Sequence, residues 1–129
     1  VSWSAKKQSL VARSSAEAEY RSLAHTTSEL LWIQSLLTDL HIPIHTPVLF
    51  CDNISAVMIA HNPVLHARTK HLELDLHFVR ERVLAKALNI QHVPGVDQIA
   101  DALTKPLPTS RFLTLRDKLK VFSSQPPSA

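Results

Sequence analysis

The sequence predicts an α/β fold with at least one parallel strand pair. Two observations lead there. The elements alternate as strand, helix, strand, helix, helix, strand, helix, an order that favours parallel pairing. The run Val48-Leu49-Phe50-Cys51 is also continuously apolar and follows a long helical segment, as a buried parallel strand would. Hydrophobic residues make up 45% of the 129 residues, a composition that supports one packed core and is too short for two.

The elements follow in order. Val1 to Ser4 has the pattern of a strand end, with Val1 and Trp3 on one face, and a short apolar piece covers Leu10 to Ala12. Ser14 and Glu17 have capping-box spacing, so a long helix is expected over about Ala16 to Leu40. Its residues Glu19, Leu23, Leu30 and Leu37 share the stripe that would face a sheet, whereas Glu17 shares its stripe with Arg21, Ser28 and Ser35, a solvent face. Pro43 and Pro47 bracket a loop before the strand Val48 to Cys51. Asn53 can cap a short helix through about Ala60, ended by Asn62-Pro63. Leu72, Leu76, Val79 and Val83 form the packing stripe of a helix over about Leu72 to Ala87. A strand over Leu88 to Val93 closes at Pro94-Gly95. Asp97 can cap a helix through about Thr104, stopped by Pro106 and Pro108. A last amphipathic helix, about Ser110 to Val121, has Phe112, Leu115 and Leu119 on its apolar side, and Ser123 to Ala129 reads as a disordered polar tail. Trp3 and Trp32 read as core or rim packing.

Composition excludes several chemistries. The lone glycine, Gly95, rules out glycine-rich phosphate cradles. The lone cysteine, Cys51, rules out an intramolecular disulfide and a cysteine-based zinc cluster, and its apolar strand makes it inert core. No apolar stretch approaches the roughly 20 residues of a membrane span, and no signal peptide stands at the start. The expected location is therefore intracellular, not secreted. A net charge of +3 permits a polyanionic partner.

Three acids stand out by position. Glu19 lies on the sheet-facing stripe, where a carboxylate is costly unless paired or bound to a cation; at the rim it would reach water instead. Asp52 follows an apolar strand directly, where α/β sheets gather ligand sites; the alternative is a plain turn residue. Asp101, four residues beyond Asp97, would sit inside a helix that aspartate disfavours, or on a solvated face. Together, three carboxylates suit hard divalent cations. Arg68, Lys70, His71, Arg80 and Arg82 form a basic segment able to touch phosphates, or a solvated helix laced with Glu73, Asp75 and Glu81.

The blocks SWSAKKQ (Ser2 to Gln8), ARSSAEAEYRSLA (Ala12 to Ala24), ELLWIQSLL (Glu29 to Leu37), LFCDNISAVMIAHNPVLHARTKHLELDLHFVRE (Leu49 to Glu81) and QIADALTKPLP (Gln98 to Pro108) cover nearly the whole chain. In that order they resemble the ribonuclease H region of copia-type LTR retrotransposon Pol polyproteins, in copies like those of plants. The resemblance implies a partial ribonuclease H-like domain over residues 1–122, followed by the tail 123–129. It implies magnesium-dependent hydrolysis of the RNA strand of RNA–DNA hybrids in reverse transcription, with two Mg2+ ions in the complete domain. It places the family's acids on Glu19, Asp52 and Asp101 as catalytic metal ligands. It suggests Arg68, Lys70 and His71 as nucleic-acid contacts. The expected partners are the hybrid and the reverse transcriptase domain of the same polyprotein, with no membrane and no small-molecule cofactor. The expected place is a cytoplasmic virus-like particle or the nucleus. The family's first aspartate lies on a strand ahead of SWSxKKQ. The chain begins inside that block, so the expectation is an incomplete fold, lacking the first two strands, that is inactive alone. The segment Val93 to Gln98 is too short for the family's histidine loop, which leaves His92 as the nearest histidine. The competing expectations are a non-catalytic relic that binds nucleic acid, or a partner-binding piece that uses the apolar surface left open.

Overall fold

The computed structural model describes residues 5, 7–9, 11–62 and 70–122, without the side chains of Lys70 and His71. It is α/β: the described residues form helices and a two-stranded parallel sheet. The chain divides into two compact units, one formed by Val11–Val93 and the other by the described parts of Val1–Leu10 and Pro94–Ala129.

The first unit contains α1 (Ser15–Asp39), β1 (Val48–Cys51), α2 (Ile54–His61), α3 (Lys70–Leu84) and β2 (Asn89–His92). The cap predicted for α1 is present: the Glu17 backbone N–H donates to Ser14 Oγ at 3.1 Å. Asn53 caps α2 in the same way, its side-chain oxygen accepting from the Ala56 N–H at 3.1 Å. β1 and β2 run parallel, with Val48 opposite Asn89 and Cys51 opposite His92. Backbone bonds from Asn89 to the Pro47 carbonyl and from Val93 to the Cys51 carbonyl extend the ladder at both ends.

The core of this unit joins Tyr20, Leu23 and Ala24 of α1 with Leu49 and Cys51 of β1, Ala56 and Ala60 of α2, Leu76 and Val79 of α3, and Leu88 and Ile90. The α3 stripe is as predicted, with Leu72 and Val83 packed at its margins. Small residues on α2 allow close approach of its backbone: Ala56 and Ala60 are fully or almost fully buried. Arg80 of α3 donates through Nε to the Ile59 carbonyl at 2.8 Å, and its guanidinium also bonds the Asn62 carbonyl. These carbonyls belong to the last turn and cap of α2, which lack partners within the helix. Arg80 is thus committed to holding α2 against α3. Arg82 lies over the Phe78 ring, 5.6 Å from its centroid.

Several expectations are corrected. β1 is buried on one face only: Leu49 and Cys51 point into the core, whereas Phe50 is 59% exposed. A two-stranded sheet with helices on one side leaves the alternate side chains uncovered. Trp32 is 63% exposed and packs neither in a core nor at its rim. Glu17 is buried, because it bonds Arg21 at 2.8 Å and accepts the Arg13 backbone N–H at 2.8 Å. The segment Val1 to Ser4, with Trp3, and the tail from Ser123 lie outside the described residues.

The second unit holds a 3₁₀ turn over Gly95–Asp97, then α4 (Asp101–Thr104) and α5 (Thr109–Lys118). One helix capped by Asp97 was expected; instead Asp97 closes the 3₁₀ turn and pairs with Lys118 at 2.7 Å. Asp101 therefore opens α4 and does not sit inside a helix. On α5 only Leu115 of the predicted apolar side is buried, and Phe112 is exposed. Among the described residues no helix is long and apolar enough to cross a membrane.

Candidate metal centre

The centre is assembled from two elements of the first unit. Glu19 stands in the second turn of α1, beside the buried Tyr20 and one turn before Leu23. Asp52 follows Cys51, the last residue of β1, and precedes the Asn53 cap of α2. Anchored α1 and β1 bring the ligand atoms of Glu19, Cys51 and Asp52 within 4.8 Å of one another. Glu19 and Asp52 are half-buried, and Cys51 is buried.

The thiol is the apolar floor of this cluster. Burial pushes the Cys51 pKa up. A backbone hydrogen bond at Asn53 opposes that shift, and the negative charges of Glu19 and Asp52 reinforce it. The sulfur therefore stays a neutral S–H in the metal-free chain. Tyr20 behaves alike: burial raises its phenol to about 12, with Arg80 opposing and Cys51 adding to the shift. Its hydroxyl is buried and has no hydrogen-bond partner among the described residues.

The donor chemistry fits magnesium at the two carboxylates. Hard divalent cations take oxygen ligands, and magnesium is commonly held by one or two protein carboxylates with water completing its shell. Glu19 and Asp52 supply such oxygens, whereas a neutral thiol is no ligand for magnesium.

Asp101 belongs to the other unit and is held differently. It is 4% exposed, and its two oxygens accept from Lys105 and Arg111, each at 2.8 Å. Arg111 also donates to the Gly95 carbonyl at 2.6 Å. The first-turn position of Asp101 suits its negative charge. Of the residues proposed to touch nucleic acid, Arg68 lies outside the described residues, and Lys70 and His71 open α3 with side chains outside them too. His92 ends β2, directly across the ladder from Cys51. The part that sequence reasoning missed is Cys51. The continuous apolar run of its strand placed it in the core, but nothing in the pattern showed that its sulfur lies within 4.8 Å of a Glu19 carboxylate oxygen.

The chain is 52% identical over 127 residues to the retrovirus-related Pol polyprotein from transposon RE2 of Arabidopsis thaliana, a match covering 98% of the chain. It is 50% identical over 129 residues to the corresponding polyprotein from transposon RE1 of the same plant. It is 33% identical over 124 residues to that from transposon TNT 1-94 of Nicotiana tabacum. In each case the chain spans 9% of the relative's length. No family model matches the sequence, and no solved structure matches it either. The chain is thus related, along nearly its whole length, to one short segment of plant retrotransposon Pol polyproteins.

Proposed function

We propose that the chain is the ribonuclease H segment of a retrotransposon Pol polyprotein, contributing to magnesium-dependent hydrolysis of the RNA strand of RNA–DNA hybrids during reverse transcription. The observation that carries this reading is the meeting of Glu19 and Asp52, from separate elements, at the carboxyl end of a parallel strand. Ligand sites of α/β sheets gather at that end. The similarity to retrovirus-related Pol polyproteins supports it.

Bound magnesium would supply the positive charge that acidifies a water and steadies the leaving oxygen in phosphodiester cleavage. The chain's own part is to hold two anionic oxygens in place. Asn53 does so from one side by capping α2 directly after Asp52. The buried Tyr20 and Cys51 do so from below, by fixing α1 against β1. Arg68, Lys70 and His71 are proposed to grip the hybrid's phosphates, since such helices are read mainly by backbone and shape. Asp101 would join a cation only by exchanging Lys105 and Arg111. The reverse transcriptase domain of the same polyprotein is the proposed protein partner, in a cytoplasmic particle or the nucleus.

The test replaces the matching segment of the transposon RE2 Pol polyprotein with this chain and measures cleavage of labelled hybrid. Magnesium-dependent cutting of the RNA strand is expected, reduced on the order of 100-fold by Asp52→Asn or Glu19→Gln. Equal cutting by the Asp52→Asn chimera would contradict the proposal. A second reading, binding of nucleic acid without cutting, is favoured by the two cations that already neutralise Asp101. A chimera that binds hybrid and never cleaves it would support that reading.

A further inference from the structure

The second half of α1 carries large apolar residues on the side away from the core. Tyr20, Leu23 and Thr27 mark the buried face of this helix. At about 100° per residue, Trp32, Leu36 and Leu40 fall on the opposite face. They are 63%, 43% and 59% exposed, and Ile33 is exposed beside them. In the first half of α1 the same face is polar, formed by the exposed Ser22, His25 and Glu29. The uncovered stripe is therefore confined to the second half. That half is anchored from its other side, where Gln34 Nε2 donates to the Ala87 carbonyl at 3.1 Å. A continuous exposed apolar stripe that includes a tryptophan marks a protein contact surface.

The charges around the stripe indicate what covers it. Glu29 and Asp39 lie on the same face, one turn before Trp32 and two turns after it, and both are exposed. Asp39 stands in the last turn of α1, which holds no basic residue. An acid there meets the negative pole of the helix, so a cation brought by a partner relieves it. The sequence between Arg21 and Arg68 contains no lysine or arginine. A second copy fits poorly. Two such stripes crossed antiparallel about a two-fold axis set Asp39 of one copy against Glu29 of the other, and like charges across an interface are costly. The retrotransposon relatives offer other polypeptide, because the chain spans only 9% of their length.

We propose that the face of α1 around Trp32, Leu36 and Leu40 docks a basic amphipathic helix from a part of the Pol polyprotein outside this chain. The partner helix lays its apolar residues along the stripe and sets a lysine or arginine at Asp39 or Glu29. Glu19 lies roughly 20 Å from Trp32 along the helix axis, at about 1.5 Å per residue, so docking leaves the carboxylate pair open. The proposal rests on the similarity to Pol polyproteins and not on the nuclease reading.

The test uses the transposon RE2 Pol polyprotein carrying this chain in place of its matching segment. The photoreactive residue benzoylphenylalanine replaces Leu36, and cross-linked peptides are identified by mass spectrometry after irradiation. The expected cross-link reaches a peptide outside the 129-residue segment, with apolar residues at helical spacing and at least one lysine or arginine. The same peptide is expected with the probe at Trp32. The yield is expected to fall on the order of 10-fold when Glu29→Lys and Asp39→Lys are combined, with helix content unchanged by circular dichroism. No cross-link, cross-links confined to the 129-residue segment, cross-links between copies, or a yield unmoved by charge reversal would overturn the proposal. Irradiation needs neither hybrid nor magnesium. The cross-link in a chimera that never cuts hybrid would count for the docking surface and against the nuclease reading. Cutting without the cross-link would do the reverse.

Discussion

At the scale of single residues, a carboxylate as buried as Asp101 needs positive charge beside it. Arg111 and Lys105 provide it, but their own side chains are 36% and 51% exposed, so water screens part of the gain. Asp101→Asn is expected to lower the unfolding free energy by about 1–3 kcal/mol, measured by urea denaturation. An unchanged midpoint would mean that the pairs contribute nothing. Tyr20 offers a second check, as the one tyrosine of the chain. Its phenol is pushed up to about 12 in the folded chain and titrates near 10 when unfolded. The folded state therefore holds the proton more tightly. The associated stability is complete below pH of about 10 and is lost as pH rises toward about 12. Absorbance titration in metal-free buffer should show the tyrosinate only in that upper range. A midpoint near 10 with native circular dichroism would contradict the burial argument. Residue roles were half legible in the sequence. Periodicity put Glu17 outside and Glu19 inside, but the structure buries Glu17 and leaves Glu19 at the rim. Capping and the Arg21 pair outweighed the helical stripe, and such local bonds leave no periodic signal.

At the scale of elements, β1 and the starts of α1 and α2 were readable because each begins with its own chemistry. Ser14 and Asn53 are cap residues, and Val48–Cys51 is a short apolar run after a proline. Helix ends were harder to read. α1, α3 and α5 all end in left-handed residues that are not glycine: His41, Lys86 and Lys120, with φ of 57°, 56° and 57°. Each closes the paired bonds of a Schellman turn. After α3, for example, Lys86 bonds the Val83 carbonyl and Ala87 bonds the Arg82 carbonyl. A chain with one glycine makes these turns without the residue that usually announces them, so α3 was expected to run to Ala87 and stops at Leu84. The left-handed conformation costs a side-chain-bearing residue about 1–2 kcal/mol. Lys86→Gly is therefore expected to stabilise the chain by about 0.5–1 kcal/mol, after the added freedom of the unfolded state. A lower melting temperature for that variant would show that the Lys86 side chain makes a contact worth more than the strain.

At the scale of the molecule, the sequence placed Glu19 and Asp52 at element ends but could not give the distance between them. That distance depends on α1 packing across the strand pair, through long-range contacts among Tyr20, Leu23, Leu49 and Cys51. The same packing brought Cys51 into the cluster. Pattern alone could not show that Asp101 pairs with Arg111, which lies ten residues away on another helix. The proposed nuclease role stands on Glu19 and Asp52 forming one cation site. The most direct measurement adds manganese(II), a paramagnetic stand-in for magnesium, to the isotope-labelled chain and follows the broadening of backbone amide signals. Broadening centred on Glu19, Asp52 and Asn53 is expected, relieved by excess magnesium and absent in Asp52→Asn. Broadening centred elsewhere, or none at manganese concentrations that saturate ordinary carboxylate sites, would contradict it.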